Sequence, residues 1–242
     1  MITSKFNFLM GCLLSVTFMT SCQDNDVDPA DDSAAIGVAF TLPPNEANAS
    51  NNARVTNSNV FIESGFFHIS EISLGTEGRT ASGQFVKEFE IKYTQPKKVT
   101  LDRFDQRVDF FLEIEEGDYE EIEMQFELAT SNNEPAISLT GTYKKLNGSK
   151  VPFKFEYFDN DFEFEVEIES STGEYFQVNK TKNPLFLFEM SPANWFSSLT
   201  VVEFETAIIT NGVLLINSQI NTSLFTKAKL QMKIAAEVEI KR

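Results

Sequence analysis

The amino-acid sequence predicts an all-β protein, built as an antiparallel β-sandwich with one or two short helices in its C-terminal third. The first reason is composition, since the chain has 24 phenylalanines against one tryptophan and one histidine, and aromatic residues favour strands. The second is a series of short runs that alternate apolar and polar residues and recur about every 8–12 residues between turns. The third is a hairpin whose register follows from its side-chain pattern.

The first strand is predicted in the segment AAIGVAFTLPP, where Ile36, Val38, Phe40 and Leu42 point to one side and two prolines end the strand. A polar, asparagine-rich loop, NEANASNNARVTNSN, follows. From Val60 onward the predicted strands are FFHISEISL, QFVKEFEIKY, VDFFLEIEE, YEEIEMQFEL, AISLTGTY, VPFKFEYF, DFEFEVEIE and NPLFLFEM.

The pair Asn147-Gly148 joins two of these alternating runs, AISLTGTY and VPFKFEYF. A loop of three residues that begins at Leu146 pairs Tyr143 with Val151 and places the apolar side chains of both strands on one side, whereas a two-residue loop mixes the faces. Gly148 then takes the left-handed conformation that this loop requires. One apolar and one polar face is the pattern of an antiparallel sandwich.

The segment DFEFEVEIE shows the same alternation in its plainest form. Phe162, Phe164, Val166 and Ile168 lie on one face, and four glutamates lie on the other. Because four like charges on one strand face repel each other, we expect a neighbouring strand to offer cations, with Lys154 as a candidate.

The C-terminal third departs from this rhythm. In SPANWFSSL, Ser191 is the predicted N-cap and Pro192 takes the first helical position, which predicts one or two helical turns. A second Asn-Gly pair in FETAIITNGVLLINS predicts a hairpin that is apolar on both faces near its tip and is therefore covered there. NTSLFTKAK is predicted as a short helix, and LQMKIAAEVEI as the last strand. Residues 34–242 are therefore predicted as one domain.

Residues 1–21 have the features of a secretory signal, with one positive charge, an apolar stretch too short to span a bilayer, and small residues at its end. Met19-Thr20-Ser21-Cys22 resembles the lipobox of bacterial lipoprotein signals, with Met19 in place of the usual Leu, Val or Ile. The resemblance implies that Cys22 is diacylated and becomes the first residue of the mature chain, which anchors the protein in a membrane. An ordinary signal peptide with an incidental cysteine is the alternative.

Residues 22–33 are predicted as a flexible acidic tether, because they are rich in aspartate and contain almost no large apolar side chain. An acidic run directly after the lipidated cysteine resembles the surface-export signal of Bacteroidota lipoproteins. Asp32-Ser33-Ala34 resembles the O-glycosylation pattern of that phylum, which implies Ser33 as a modification site; a plain linker serine is the alternative. The aspartates lack the Gly and Glu that an EF-hand loop requires, so that calcium site is excluded.

Charge and composition exclude several classes of function. The chain has 36 acidic and 20 basic residues, a formal net charge of −16, so we expect neither nucleic acid nor an anionic lipid surface as a partner. Both cysteines, Cys12 and Cys22, lie near the N-terminus, so the rest of the chain offers no disulfide, thiol nucleophile or thiolate metal site. No cofactor is expected.

A few residues remain as candidates for chemistry. His68 alternates with apolar neighbours and is expected on the more polar face of its strand, without a catalytic role. Trp195 is a possible platform for a sugar ring, although a position in the core is the preferred interpretation. Aspartates are possible calcium ligands, although solvated turns explain them more simply. These aspartates are Asp102, Asp105, Asp109, Asp159 and Asp161.

The order of segments from FHISEIS to SPANWF resembles Bacteroidota surface lipoproteins with a transthyretin- or fimbrillin-like β-sandwich. We therefore expect a lipid-anchored, surface-facing protein of the outer membrane, monomeric and not an enzyme. It would bind or adhere to a glycan or protein ligand through loops at one end of the sandwich. Two alternatives stay open: a glycan-capture lipoprotein of a polysaccharide-uptake system, and a glycoside hydrolase that uses a carboxylate pair.

Overall fold

The structure is a computed structural model, and it describes residues 34–42, 59–102, 107–169, 174–181, 185–234 and 237–241. The predicted signal peptide, Cys22, the acidic tether and Ser33 lie outside the described residues. Within them the protein is mostly β, as the sequence predicts, with helices only toward the C-terminus.

The described fold contains twelve strands and three helical segments. The strands are β1 (Ala34–Thr41), β2 (Val60–Thr80), β3 (Gly83–Asp102), β4 (Phe110–Ile114), β5 (Gly117–Leu128), β6 (Ile137–Lys144), β7 (Lys150–Tyr157), β8 (Glu163–Glu169), β9 (Phe176–Val178), β10 (Leu185–Glu189), β11 (Leu214–Ile216) and β12 (Glu237–Lys241). The helical segments are a 3-10 helix (Pro192–Phe196), α1 (Val201–Glu205) and α2 (Thr222–Ile234).

Two sheets pack face to face. The small sheet has the order β10-β1-β4, and the large sheet has the order β11-β7-β6-β2-β5-β8-β12, with β3 paired to β2 and β9 paired to β5. Most pairs are antiparallel, as predicted, but β1–β10, β7–β11 and β8–β12 are parallel. In each parallel pair one member is a short edge strand from the C-terminal third, which reaches its neighbour through a long connection instead of a hairpin.

The longest strand, β2, organises the large sheet. One edge of β2 pairs with β6 over Val60–Phe67 and then with β5 over Ile69–Arg79, while the other edge pairs with β3. β5 and β6 therefore lie end to end beside β2. A register shift between Ile69 and Glu71 marks the place where one partner replaces the other, and such a bulge bends the strand locally.

The core lies between the two sheets, and its centre is Phe40 of β1. Its ring centroid lies 5.0 Å from Phe67, 5.3 Å from Phe126 and 5.5 Å from Phe164, in edge-to-face geometry. Each such pair is worth about 0.5–1.5 kcal/mol beyond the area that it buries. β1 is buried along its whole length, because it is the middle strand of the small sheet. The abundant phenylalanine thus serves the core.

The helices cover the part of the same inner face that belongs to β6 and β7. Phe196 of the 3-10 helix packs edge-on against Phe155 at 5.4 Å, and Phe225 of α2 stacks on the same ring at 5.9 Å. Phe204 of α1 stacks on Tyr143 of β6 at 5.0 Å. The inner face of the large sheet is thus buried by the small sheet and the helices together, and the outer face carries the polar residues.

The hairpin at Asn147-Gly148 has the predicted register. Tyr143 is opposite Val151, and the ladder continues without a shift along both strands. Gly148 has a φ of +85°, the left-handed conformation that the three-residue loop requires. The short helix that begins at Pro192 is also confirmed, but its predicted cap is not, since the Ser191 side chain makes no capping hydrogen bond.

The prediction for FETAIITNGVLLINS was wrong. Residues Val201–Glu205 form a helix, because the Thr200 backbone N–H donates to the Glu203 carboxylate at 2.9 Å and the Glu203 N–H donates to Thr200 Oγ1 at 3.3 Å, a capping box. The predicted hairpin is reduced to one turn at Asn211-Gly212. Ile208, near the tip, is 65% exposed, so the tip of this segment is not covered within the described structure, although Leu214 and Ile216 are buried.

The prediction for LQMKIAAEVEI was wrong in its first half. α2 continues to Ile234, and β12 begins only at Glu237. Phe225, Ala228 and Met232 are buried at helical spacing, whereas Leu230 is 60% exposed. The apparent alternation from Leu230 therefore does not describe one face of a strand.

Candidate functional site

The most distinctive surface of the described structure is the outer face of the large sheet at β5 and β8. Residues of these strands alternate between the core and the outer face, and nearly every outer residue is a glutamate. We refer to these outward-facing glutamates as the acidic face. They are Glu121, Glu123 and Glu127 of β5 and Glu163, Glu165, Glu167 and Glu169 of β8.

The strand register places these carboxylates opposite each other. Glu121 pairs with Glu169, and Glu123 pairs with Glu167. Lys154, the candidate for a cation beside β8, is not on a strand that pairs with β8; the strands that do are β5 and β12. Lys154 lies on β7 and binds Glu156 of its own strand at 2.6 Å. Directly opposed like charges destabilise a pair of strands, so the acidic face costs stability.

Electrostatics on this face favour uptake of positive charge. Burial, followed by the carboxylates of Glu77 and Glu169, raises the pKa of Glu121 above its ordinary value. Burial, followed by Glu71 and Glu163, raises the pKa of Glu127 in the same direction. A carboxylate whose pKa is raised in this way is held less favourably as an anion, and a nearby cation would relieve the repulsion.

A groove of about 560 Å³ crosses the outer face beside these glutamates. Ser73 and Gly75 of β2 lie along its middle, Glu88 and Glu90 of β3 line one side, and Glu123 with Gln125 of β5 lines the other. The small residues of the central strand form the floor, and the longer acidic side chains of the flanking strands form the walls. We refer to this feature as the acidic groove.

Gly75 is not required by the fold. Its φ is not positive, and a Cβ at this position would stand 3.6 Å from the Glu123 Cβ, an ordinary contact. Glycine in the middle of a strand costs stability and often marks a place where another group approaches the backbone. The missing side chain at Gly75 keeps the floor of the acidic groove open.

Lys92 stands at one end of the same surface. Its Nζ lies 3.0 Å from the Glu71 carboxylate and 3.2 Å from the Glu90 carboxylate. Hydrogen bonds to these two groups raise the pKa of Lys92. The lysine side chain is 65% exposed, so this ion pair is solvent-screened and contributes little to stability.

Three members of the acidic face come close enough to share a cation. Glu121, Glu167 and Glu169 each offer a carboxylate oxygen within 4.8 Å of the others. An all-oxygen donor set suits Ca²⁺ or Mg²⁺. These carboxylates stand side by side on an open sheet, whereas the two acids of a glycoside hydrolase flank a bond held between them.

His68 lies on the outer, more polar face of β2, opposite to the core-facing Phe67, as the sequence predicts, but it is buried there. It is 2% exposed, because the connection between β5 and β6 folds over it. Nδ1 hydrogen-bonds the Pro135 carbonyl oxygen at 2.9 Å, and Nε2 lies 3.3 Å from the Glu134 carboxylate. Lys98 binds the same carboxylate at 2.9 Å and lowers the pKa of Glu134. Through these contacts the histidine holds the β5–β6 connection against β2.

Trp195 lies in the core. It is 5% exposed, and its ring packs beside Phe155 with centroids 6.5 Å apart. The core position was the preferred interpretation, and a sugar ring cannot stack on this side chain in the described conformation. Trp195 is therefore removed as a ligand platform.

Three of the five aspartates considered as calcium ligands have carboxylates that bind protein groups. Lys229 Nζ lies 2.6 Å from Asp159 and 3.2 Å from Asp161. The Tyr157 hydroxyl also donates to Asp161, and this bond is the largest cause that lowers the pKa of Asp161 to about 2. Asp109 accepts a backbone N–H of β1 at 2.8 Å. Of the other two, Asp102 accepts hydrogen bonds from the end of β1 through its carbonyl, and Asp105 is outside the described residues.

Comparison with known proteins gives no match, whether the chain is set against protein family models, curated proteins or solved structures. Among the described residues, no helix has the length and apolar character needed to cross a membrane. The candidate site therefore stands on its own geometry.

Proposed function

We propose that this protein is a lipid-anchored lipoprotein of the outer membrane, facing the cell surface, whose β-sandwich is a non-catalytic binding module. The acidic groove, with the acidic face beside it, is the proposed binding surface, and a protein or polymer rich in positive charge is the proposed ligand class. Met19-Thr20-Ser21-Cys22 supports the anchor. The acidic groove supports the binding role, because the fold does not require glycine at position 75, and the absence of a side chain there leaves the floor of the groove open.

The physical argument is one of charge complementarity. A surface with one sign of charge attracts and orients an oppositely charged partner before contact. On the acidic face the favourable free energy of binding is larger, since a cationic partner also relieves repulsion between carboxylates that oppose each other across β5 and β8. This surface differs from the loop ends that the sequence favoured as the binding region.

The two alternatives lack comparable support. Glycan capture needs an accessible aromatic ring as a stacking platform, and the tryptophan that was its candidate is buried. A carboxylate-pair hydrolase needs two acids that flank a bound sugar, and the close carboxylates of β5 and β8 lie side by side on one sheet face.

Binding of poly-lysine to the full-length protein in detergent tests the proposed surface. We expect wild type to bind poly-lysine and not neutral dextran, with affinity that falls as salt is added. The double variant Glu88→Gln/Glu123→Gln should weaken binding by about tenfold, since each removed charge costs on the order of 0.5–1 kcal/mol. The control Glu113→Gln/Glu116→Gln makes the same charge change away from the acidic groove. Equal loss in both doubles would mean that net charge alone attracts the polymer.

The anchor has its own test. The variant Cys22→Ala should remain unprocessed and should not incorporate labelled palmitate, because the acylated thiol is gone. If this variant still appears as a mature form in the outer membrane, Cys22 is not the anchor.

A further inference from the structure

The free edge of β3 gives the proposed binding function a more specific form. β3 pairs with β2 along one edge, and no described strand pairs with its other edge. Over Gly83–Lys92 the ladder with β2 runs without a register shift, so this half of β3 is regular. The unpaired N–H and C=O groups of such an edge are a template for another strand.

Two of the usual obstacles to edge pairing, a proline and an irregular stretch, lie outside the regular half of β3. Residues 93–96, which include Pro96, are inserted opposite Ser70 and form the irregular part of the strand. Within the regular half, Lys87 turns toward the inner face, where a charge can block pairing. Glu115 neutralises it, with Nζ 2.5 Å from the carboxylate.

The side chains along this edge specify the chemistry of a partner. On the outer face, the exposed Glu88 and Glu90 form one wall of the acidic groove, between an exposed Val86 and Lys92, which binds Glu90. On the inner face, Phe85, Phe89 and Ile91 are only partly buried against the core. An added strand would place its alternate side chains beside these two sets. Basic residues fit the outer set, and apolar residues fit the inner set.

We infer that β3 accepts an extended segment of another protein, with alternating basic and apolar side chains, as an additional strand of the large sheet. This inference rests on the proposed binding function and names the partner for the same surface. Main-chain hydrogen bonds to Gly83–Lys92 would supply affinity, and the alternating side chains would supply specificity. A second copy of this chain fits less well, because its own β3 would bring Glu88 and Glu90 to an already acidic edge.

The test uses nine-residue peptides of alternating lysine and valine with the full-length protein in detergent. We expect binding of this peptide and none of a matching glutamate–valine peptide. N-methylation of every second backbone amide, which leaves the charge unchanged but removes strand hydrogen bonds, should weaken binding by at least about tenfold. Glu88→Gln/Glu90→Gln should weaken it similarly, and the control Glu113→Gln/Glu116→Gln should not. Amide exchange should slow at alternate residues of Gly83–Lys92 when the peptide binds.

Each contrary result has a distinct meaning. If the N-methylated peptide binds as well as the parent, strand addition is wrong while the charge-based binding function stands. If neither the peptide nor poly-lysine binds, both proposals are wrong. Slow exchange at Gly83–Lys92 that the peptide does not change would show that the edge is already covered within the chain. Concentration-dependent dimerisation in sedimentation that the lysine–valine peptide does not bind to or disrupt, together with amide protection of Gly83–Lys92 in the dimer, would make a second copy the occupant and overturn the inference.

Discussion

Gly148 occupies the tip of the β6–β7 hairpin with a φ of +85°, and a Cβ built there would meet no heavy atom within 4 Å. The need for glycine is therefore conformational and not steric. Asn147 supports the turn, since its side-chain oxygen accepts the Ser149 N–H at 2.9 Å. Both requirements are local, which is why the sequence was sufficient to predict this loop and its register.

Gly148→Val should lower the free energy of unfolding by about 1–2 kcal/mol, because a β-branched side chain resists a positive φ. Urea denaturation would measure the change. Gly75→Ala is the matched control, since its φ is not positive and its new Cβ makes an ordinary contact; we expect unchanged or slightly higher stability. A Gly148→Val protein as stable as wild type would contradict the left-handed assignment.

His68 shows where local sequence reasoning fails at the same scale. Phe67, His68 and Ile69 are consecutive and all buried, so alternation in side-chain direction does not give alternation in exposure here. The β5–β6 connection that folds over the ring produces this result. Its position depends on strands that are distant in sequence, so a pattern within the segment could not reveal it.

At the scale of elements, β8 shows what the alternation of apolar and polar residues in one strand can predict and what it cannot. Its apolar residues Phe164, Val166 and Ile168 are buried, as the alternation indicates. Lys154 was the wrong candidate for a cation beside β8, because the alternation says which residues share a face and not which strand lies alongside. Register with β5 places glutamates opposite those of β8, and β12 lies on the other side of β8. The acidic face is therefore a tertiary feature that single-strand reasoning could not predict.

Glu121→Gln should stabilise the protein at neutral pH. The folded-state pKa of Glu121 is raised above the ordinary 4.5, so its favourable contribution is present below pH 4.5 and is lost as pH rises through the raised pKa. Thermal denaturation should show an increase of about 1–3 °C at pH 7 for the variant and little change at pH 4. Glu113→Gln should not reproduce this increase. A lower Tm for Glu121→Gln at pH 7 would show that the glutamate is not destabilised by its neighbours.

The sequence at the start of α1 contains a helix-capping motif, which the interpretation of this region as strands did not take into account. Thr200 and Glu203 have the spacing of a capping box before an apolar run, and the structure forms both of its hydrogen bonds. Lys227 of α2 also binds the Glu203 carboxylate at 2.6 Å. The pairing with Lys227 could not be predicted, because it depends on where α2 packs.

Glu203→Ala should lower stability at neutral pH by about 1 kcal/mol, the usual cost of a lost cap. Bonds to Lys227 and then to Thr200 lower the pKa of Glu203 to about 2 from 4.5. The stabilisation is therefore present above pH 4.5 and is lost as pH falls through about 2. Denaturation curves of wild type and variant should converge toward pH 2. A difference that stays constant across this range would assign the effect to lost helix propensity or packing, not to the carboxylate.

At the scale of the whole molecule, the two-layer arrangement separates the start of the domain from the proposed binding surface. β1 begins at Ala34 in the small sheet, which packs on the inner face of the large sheet. The acidic face is on the opposite side of the large sheet. A lipid anchor at Cys22, joined to the domain through residues 22–33, would thus leave that surface free to meet a partner.

Replacing residues 24–32 with a neutral Gly/Ser linker of equal length should separate folding from export. The melting temperature of the domain should not change, because the replaced residues precede β1 and the described core begins at Ala34. Display on the cell surface should fall, since the acidic run is the proposed export signal. A linker that exchanges the aspartates for glutamates is the matched control and should retain display. Protease shaving of intact cells decides the matter, because a neutral-linker protein that is shaved as completely as wild type does not need the acidic run to reach the surface.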